Sequence, residues 1–426
     1  MKRSRIWSLV LCGLVLASIA LGVVPLSAGA AAGGVVKLRF VWFTNGPDLP
    51  AVQSVIKEFN AKNPDIQVDL AIVSYAELNQ LLITQAEAGQ APDLARVSEH
   101  FRYYKYLLDL RPYLKDKEFA KAFIPEAMAV TSGPTGEVYG IPHDFTVDGP
   151  FINVTAVKKA GLELPTAARV SWNEWIELAK KAAKANGIPY AFAADRSGNR
   201  LDGFLESGGG SYFSADGKTL RITSPETLKG ASEFVRLHKE GTMPLDIWAG
   251  STGYAGANQL FANGQVVLYL SGNWQVGFLD KTVGAKFEWK AIPDPCEQLC
   301  SGMPGGKFLV AFKSTKYPEQ VARLIEFLGS REAMASYVSQ ASFLPTRLDL
   351  IKAGVKYSVR SEDMNVFVRD IPNLTPTAYQ DNYNRWGGQV ADVVRDRLTQ
   401  AIIGELTVQQ ALERAEEKAK ELIQQP

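Results

Sequence analysis

Between Val35 and Val97 the sequence alternates between β-rich and helical runs, and that alternation is the tightest constraint on the fold. "VVKLRFVWF" (Val35 to Phe43) is rich in β-branched and aromatic residues. After "TNGPD", apolar residues recur at Val52, Val55, Ile56 and Phe59, the spacing of one helix face. Asn63-Pro64 ends that helix, because the residue before a proline is pushed out of the α region, and "IQVDLAIV" (Ile66 to Val73) alternates as a strand. "ELNQLLITQAEAG" reads as a second helix stopped by Gly89, and Ala91-Pro92 leads into the short strand "DLARV". This β-α-β-α-β order predicts an α/β fold, a mainly parallel sheet wrapped by helices.

The later chain repeats the pattern. Ser171 and Glu174 in "SWNEW" form a capping box, and the helix they open carries Trp175, Ile176, Leu178, Ala179 and Ala182 inward; Trp172 and Trp175 read as packing residues. Ser224 caps the next helix, Pro225 takes its first turn and Gly241 stops it. "QVVLYL" and "KFLVAF" (Lys307 to Phe312) are strands, and Thr407 with Gln410 opens a terminal amphipathic helix.

The first thirty residues read as an export signal: Lys2, Arg3 and Arg5, then the apolar stretch Ile6 to Val24, then Pro25 and the small-x-small site Ala28-Gly29-Ala30. An apolar stretch of about 20 residues also has the length of a retained membrane anchor, which is the alternative. Export makes Cys296 and Cys300 in "PDPCEQLCSG" a candidate disulfide. No metal site is expected, since His100, His143 and His238 have no partners at ligand spacing. With 46 Lys plus Arg against 45 Asp plus Glu, no global field draws the protein to nucleic acid or an anionic membrane, so a ligand must be recognised locally.

Chemistry is narrowed by absence. "GMPGGKF" is one spacer short of a phosphate-binding loop and lacks its hydroxyl residue; no G-x-S-x-G, H-E-x-x-H or G-x-G-x-x-G occurs, and no cofactor is implied. A glycosidase needs only two carboxylates placed in three dimensions, so a secreted glycoside hydrolase stays open as the enzymatic alternative. What the chain does have is aromatic residues at strand ends and in turns: Trp42 beside Asn45, Trp248 and Tyr254 around "AGSTG", Trp274 after "SGN", and Trp386 in "DNYNRWGG". Ligands of open α/β sheets gather outside the carboxyl ends of strands. Flat aromatic faces with interleaved amides and charges there suit a sugar, with its apolar C–H face and hydroxyl rim.

The phrases "IKEFNAKNPDIQVDL", "AGQAPDL", "GEVYGIPHDFTVDGPFINVTAVKKAGLELP", "LFANGQVVLYLSGNW", "GMPGGKFLVAF", "YPEQVARLIEFLGSREAMASYV" and "FLPTR" occur in this order. Together they resemble the extracellular solute-binding proteins of bacterial ABC importers, in particular the maltose-binding-protein-like carbohydrate group. The resemblance implies a type II periplasmic-binding-protein fold with two discontinuous lobes. These would be 31–145 plus 291–344 and 146–290 plus 345–426, with crossings near Pro142 to Pro150, Lys286 to Pro293 and Ser342 to Leu350. It implies a non-enzymatic receptor, in the periplasm or at the outer face of the cytoplasmic membrane, that closes on a carbohydrate and hands it to a permease; glycerol 3-phosphate or another polyol is the alternative cargo. Carried over by position, Trp274 would stack on the sugar and Asn273 reach a hydroxyl. Trp42 and Asn45 would belong to the first-strand loop, Ser98, Glu99 and His100 to the loop after the third strand, and Asp144 to the hinge entry. Gly305 and Gly306 would admit the ligand to the backbone, and Arg347 and Trp386 would line the far side.

Overall fold

The computed structural model describes residues 34–44, 48–98, 100–251 and 253–424, so the export signal expected over 1–30 lies outside the described residues. Its framework is β1 (Val36–Phe43), β2 (Ile66–Val73), β3 (Leu94–Val97), β4 (Gly140–Asn153), β5 (Tyr190–Ala194), β6 (Val266–Gly272), β7 (Trp289–Ala291) and β8 (Pro304–Ala311). The strand order is β2-β1-β3-β8-β4-β6-β5, with β7 paired to β4 off that path. β1 is parallel to both β2 and β3, and the helices Asp48–Lys62 and Tyr75–Glu87 connect them, as the alternation predicts. No helix among the described residues is long and apolar enough to cross a membrane.

The helix starts follow the local chemistry of the sequence. Ser171 accepts from Glu174 N while the Glu174 side chain accepts from the cap backbone, and Thr407 and Gln410 do the same at the last helix. Each box satisfies two N–H groups that the first turn would leave bare. Ser224 caps the helix Pro225–Lys239 with proline in its first turn. Trp172 and Trp175 are buried, as expected for packing residues. One strand expectation changes. β8 starts at Pro304 rather than Lys307, because Gly305 and Gly306 already pair with Thr146 and Phe145. "FLPTR" forms no strand; it contributes single bridges, from Leu344 to Phe145 and from Arg347 to Phe123.

β4 is the unusual element. Residues Gly140 to Val147 pair with β8, and residues Asp148 to Ile152 pair with β6 instead. One strand therefore belongs to two sheet halves, and its partner changes between adjacent residues. A register shift lies between Pro142 and Asp144, where proline has no N–H to give the ladder. The Pro142 carbonyl is taken instead by Thr346 Oγ1 at 2.6 Å.

Where β1, β3 and β4 meet, Arg96 is fully buried. Its Nη2 lies 2.8 Å from Asp144 Oδ2, its Nη1 3.3 Å from Asp48 Oδ2, and the same Nη1 donates to the Phe43 carbonyl at 2.9 Å. The guanidinium lies 4.6 Å from the Trp42 ring and 4.7 Å from that of Phe43. Burial raises the Asp144 carboxyl, but Arg96 together with His143 and Lys307 outweighs it and holds the group below the usual carboxylate range. Removing one member strands a charge in the interior, which costs about 3–5 kcal/mol. Asp144→Ala is therefore expected to lower stability by about that amount, read as a lower urea midpoint at unchanged slope.

Candidate functional site

The carboxyl ends of the parallel strands on both sides of the β4 partner change open into one cleft of about 950 Å³. From the first half come Phe43 and Thr44 after β1, Tyr75 after β2, and Ser98 and Arg102 after β3. From the second come Asn199 and Arg200 after β5, and Trp274 and Gln275 after β6. Gly305, Gly306 and Lys307 of β8 line it with Thr146 and Asp148 of β4, while Tyr383, Asn384 and Arg385 cover it from the turn before the helix Gly387–Ile402.

Two neighbouring strands end in the same words. β5 leads into Ser197-Gly198-Asn199-Arg200, and β6 closes on Ser271-Gly272-Asn273-Trp274. β5 and β6 are parallel partners, so the fourth residues of the two phrases meet: the Arg200 guanidinium sits 4.7 Å from the Trp274 ring. Neither glycine has room for a side chain. A Cβ on Gly198 would lie 2.5 Å from the Ala391 carbonyl oxygen, and one on Gly272 would lie 2.1 Å from the Trp274 ring itself. Arg200 is fixed further by Asp148 Oδ1 at 2.9 Å and Ser197 Oγ at 3.1 Å. Tyr254 is exposed at the cleft, with its hydroxyl anchored on Asp195 Oδ2 at 3.0 Å. The buried Asp195 also accepts from Tyr269 Oη, Ser271 Oγ and Ala257 N, which ties that loop to the ends of β5 and β6.

The expected site residues divide. Ser98, Tyr254, Trp274, Gly305 and Gly306 line the cleft. Asn45, Glu99 and the His100 side chain lie outside the described residues. Six others are placed elsewhere. Trp42 is fully buried, with its indole N–H on Asp48 Oδ2 at 3.1 Å, and Asp144 is buried on Arg96. Trp248 is buried against Phe234 and donates to the Ala194 carbonyl at 3.2 Å. Asn273 accepts from Val147 N at 3.0 Å and donates to the Ser342 carbonyl at 3.0 Å, so it holds β4 to the segment after helix Arg331–Ala341. Arg347 is spent on Asp349 and the Gly329 carbonyl, and the Trp386 ring packs on the second core beneath Arg385. Cys296 and Cys300 form a disulfide. Among the described residues no group of three or more His, Cys, Asp or Glu is placed to hold a metal ion.

Missed from the sequence were Tyr75, Asp148, Arg200, Lys307 and Arg385. The rule that ligands collect at strand ends would have found Tyr75 and Arg200, which follow β2 and β5. Asp148 and Lys307 carry no local signal, since each is one residue in a β run.

Electrostatically the cleft floor is built from poorly solvated charges. Burial pushes the Asp148 carboxyl up to about 7 against the pull of Arg200, and burial with repulsion from Arg96 brings the Lys307 ammonium down to about 8. Behind Asp148, burial raises Asp294 well above the usual carboxylate range, with Asp370 and Asp148 adding repulsion, and it pushes Asp370 up to about 7. Unfolded carboxylates titrate near 4, so between pH of about 4 and 7 the folded state binds more protons than the unfolded one. These carboxyls therefore favour the fold at low pH, and that contribution is lost as pH rises toward 7. Asp294→Asn should leave the melting temperature near wild type at about pH 4 and raise it by a few degrees at pH 8, at roughly 2–4 °C per kcal/mol. Gly306 has φ of 142°, and a Cβ there would lie 2.3 Å from the Asp144 carbonyl oxygen. Gly306→Ala is expected to cost about 1–3 kcal/mol in chemical denaturation.

Comparison with known proteins matches residues 44–335 to the family described as bacterial extracellular solute-binding protein. The multiple sugar-binding protein of Streptococcus mutans is 25% identical over 378 residues, spanning 83% of this chain and 82% of that protein. The arabinooligosaccharide-binding protein of Bacillus subtilis is 25% identical over 336 residues, or 74% and 75% of the two chains. Among solved structures, an ABC substrate-binding protein from Listeria monocytogenes in complex with cycloalternan superposes with a TM-score of 0.76 at 21% identity, covering 91% of this chain and 99% of the other.

Proposed function

Because this chain belongs to the family of bacterial extracellular solute-binding proteins, we propose that it is the receptor of an ABC importer and captures a carbohydrate in the cleft between two lobes. The observation that carries the reading is Trp274: half-buried, set at the end of β6 and facing the cleft beside Asn199, Gln275 and Asn384. An indole face takes the C–H side of a sugar ring, and amides take its hydroxyls. The named relatives that bind sugars support the same cargo class.

The lobes are 31–145 plus 291–344 and 146–290 plus 345–426, hinged where β4 exchanges β8 for β6. A ligand that touches both walls binds the closed form better than the open one and shifts the balance toward it. Closure itself is the signal that a membrane permease reads, and the sugar leaves unaltered. The chain works outside the cytoplasmic membrane, delivered there by the export signal at its N-terminus.

Trp274→Ala should weaken sugar binding by about 1–3 kcal/mol, the scale of a buried aromatic anchor, with the melting curve of the unliganded protein little changed. Calorimetric titration with mono-, di- and oligosaccharides tests this; unchanged affinity in the variant, or a sugar recovered as cleaved product, would overturn the assignment.

A further inference from the structure

The cleft holds more positive charge than a neutral sugar needs. Lys307 Nζ makes one hydrogen bond, to the carbonyl of its own neighbour Gly306 at 3.0 Å, and no carboxylate lies within ion-pairing distance of it among the described residues. The nearest acid, Asp144, is already committed to Arg96 at 2.8 Å. Arg385 rests on the Trp386 ring at 4.5 Å, again with no ion pair among the described residues. The two cations belong to neighbouring pieces of wall, because Tyr383 binds the Gly305 carbonyl at 3.1 Å and its ring lies 5.7 Å from that of Phe308. A third cation, Arg200, is paired with Asp148 Oδ1 at 2.9 Å and also feels the buried Asp195, and burial brings the Asp148 carboxyl toward its neutral form near pH 7. The remaining acid at the rim, Asp392, is mostly exposed and is paired with Arg395. The chain as a whole carries a net charge of +1, so this excess is a property of the cleft.

In the open cleft the half-buried Lys307 keeps part of its water. Closure around a neutral ligand would strip that water from Lys307 and put nothing in its place, and an unpaired charge withdrawn from water is strongly disfavoured. An acid group on the ligand removes the conflict, supplying charge-assisted hydrogen bonds at the moment of desolvation. Resting on the carbohydrate reading above, we propose that the cargo is an anionic saccharide, one bearing a carboxylate or a phosphate, and that Lys307 and Arg385 set this specificity by receiving its acid group. Trp274 and Arg200 then hold the sugar ring at the other end of the same phrase of contacts.

The test is calorimetry on the mature chain with matched pairs: glucuronate against glucose, galacturonate against galactose, and glucose 6-phosphate, together with the di- and trisaccharides of each series. The acidic member of at least one pair should bind about tenfold or more tightly than its neutral partner, and raising the salt should narrow the gap. Which acid wins separates a carboxylate cargo from a phosphate one. Lys307→Gln should lose about tenfold or more on the acidic ligand relative to its neutral partner, and Lys307→Arg should restore part of that preference. Arg385→Gln, in an exposed turn, gives the same readout if Lys307→Gln does not fold. Neutral sugars binding as tightly as acidic ones, or both variants losing acidic and neutral ligands alike, would overturn the inference and leave the carbohydrate receptor standing. A folded wild-type chain that binds no saccharide of either kind overturns both.

Discussion

The molecule is organised around one buried cation. Arg96 lies in the short strand β3 with no access to water, and an isolated guanidinium there would be prohibitive. It is tolerated because three elements supply what it lost: Asp144 from β4, the Phe43 carbonyl from the end of β1, and Asp48 from the helix that follows β1. Tyr337 reaches Asp144 as well, from the helix Arg331–Ala341. The compensation is directional, so meeting it fixes where β1, β3 and β4 stand relative to one another. The first wall of the cleft, Phe43, Thr44 and Ser98, is the continuation of two of those strands. The rigidity of the binding wall is thus a by-product of neutralising a charge one layer beneath it.

This arrangement explains which parts of the protein could be read from the sequence. Capping boxes, proline breaks and apolar periods act within a few residues, and the helices at Ser171, Ser224 and Thr407 are accordingly legible. So is the parallel first sheet, because strand and helix alternate at lengths that permit few other connections. Trp42 was not legible. In β1 it shares a face with Leu38 and Phe40, while Val41 and Phe43 share the other, and over the second half of the strand both faces are apolar because both are covered. With no polar face to mark the outside, alternation cannot say which aromatic ends toward the ligand. Trp248 and Asp144 fail for the related reason that their partners, Phe234 and Arg96, are distant in sequence.

Asn273 and Trp274 make the finer point. Adjacent in one turn, they were expected to act together on the ligand, yet Asn273 faces inward to Val147 and Ser342 while Trp274 faces the cleft. The amide shapes the turn that presents the indole. The parallel phrase ending in Arg200 was visible as text, but its meaning depended on β5 and β6 being neighbours, which is a property of topology.

The strand shared by both sheet halves sets how such a molecule can deform. Its ladder to β8 ends at Val147 and its ladder to β6 begins at Asp148, and the bonds that cross between the halves there are Val147 N to Asn273 Oδ1 at 3.0 Å and Asp148 N to the Met303 carbonyl at 3.1 Å. A change of angle between them can be absorbed as torsion at this junction while every rung stays intact. The strand behaves as a torsion bar: compliant to twisting, stiff to being pulled apart. On the two-lobe reading proposed above, opening and closing would draw on a soft coordinate, and the free energy a ligand releases would go into selecting a shape rather than into breaking the scaffold that holds it.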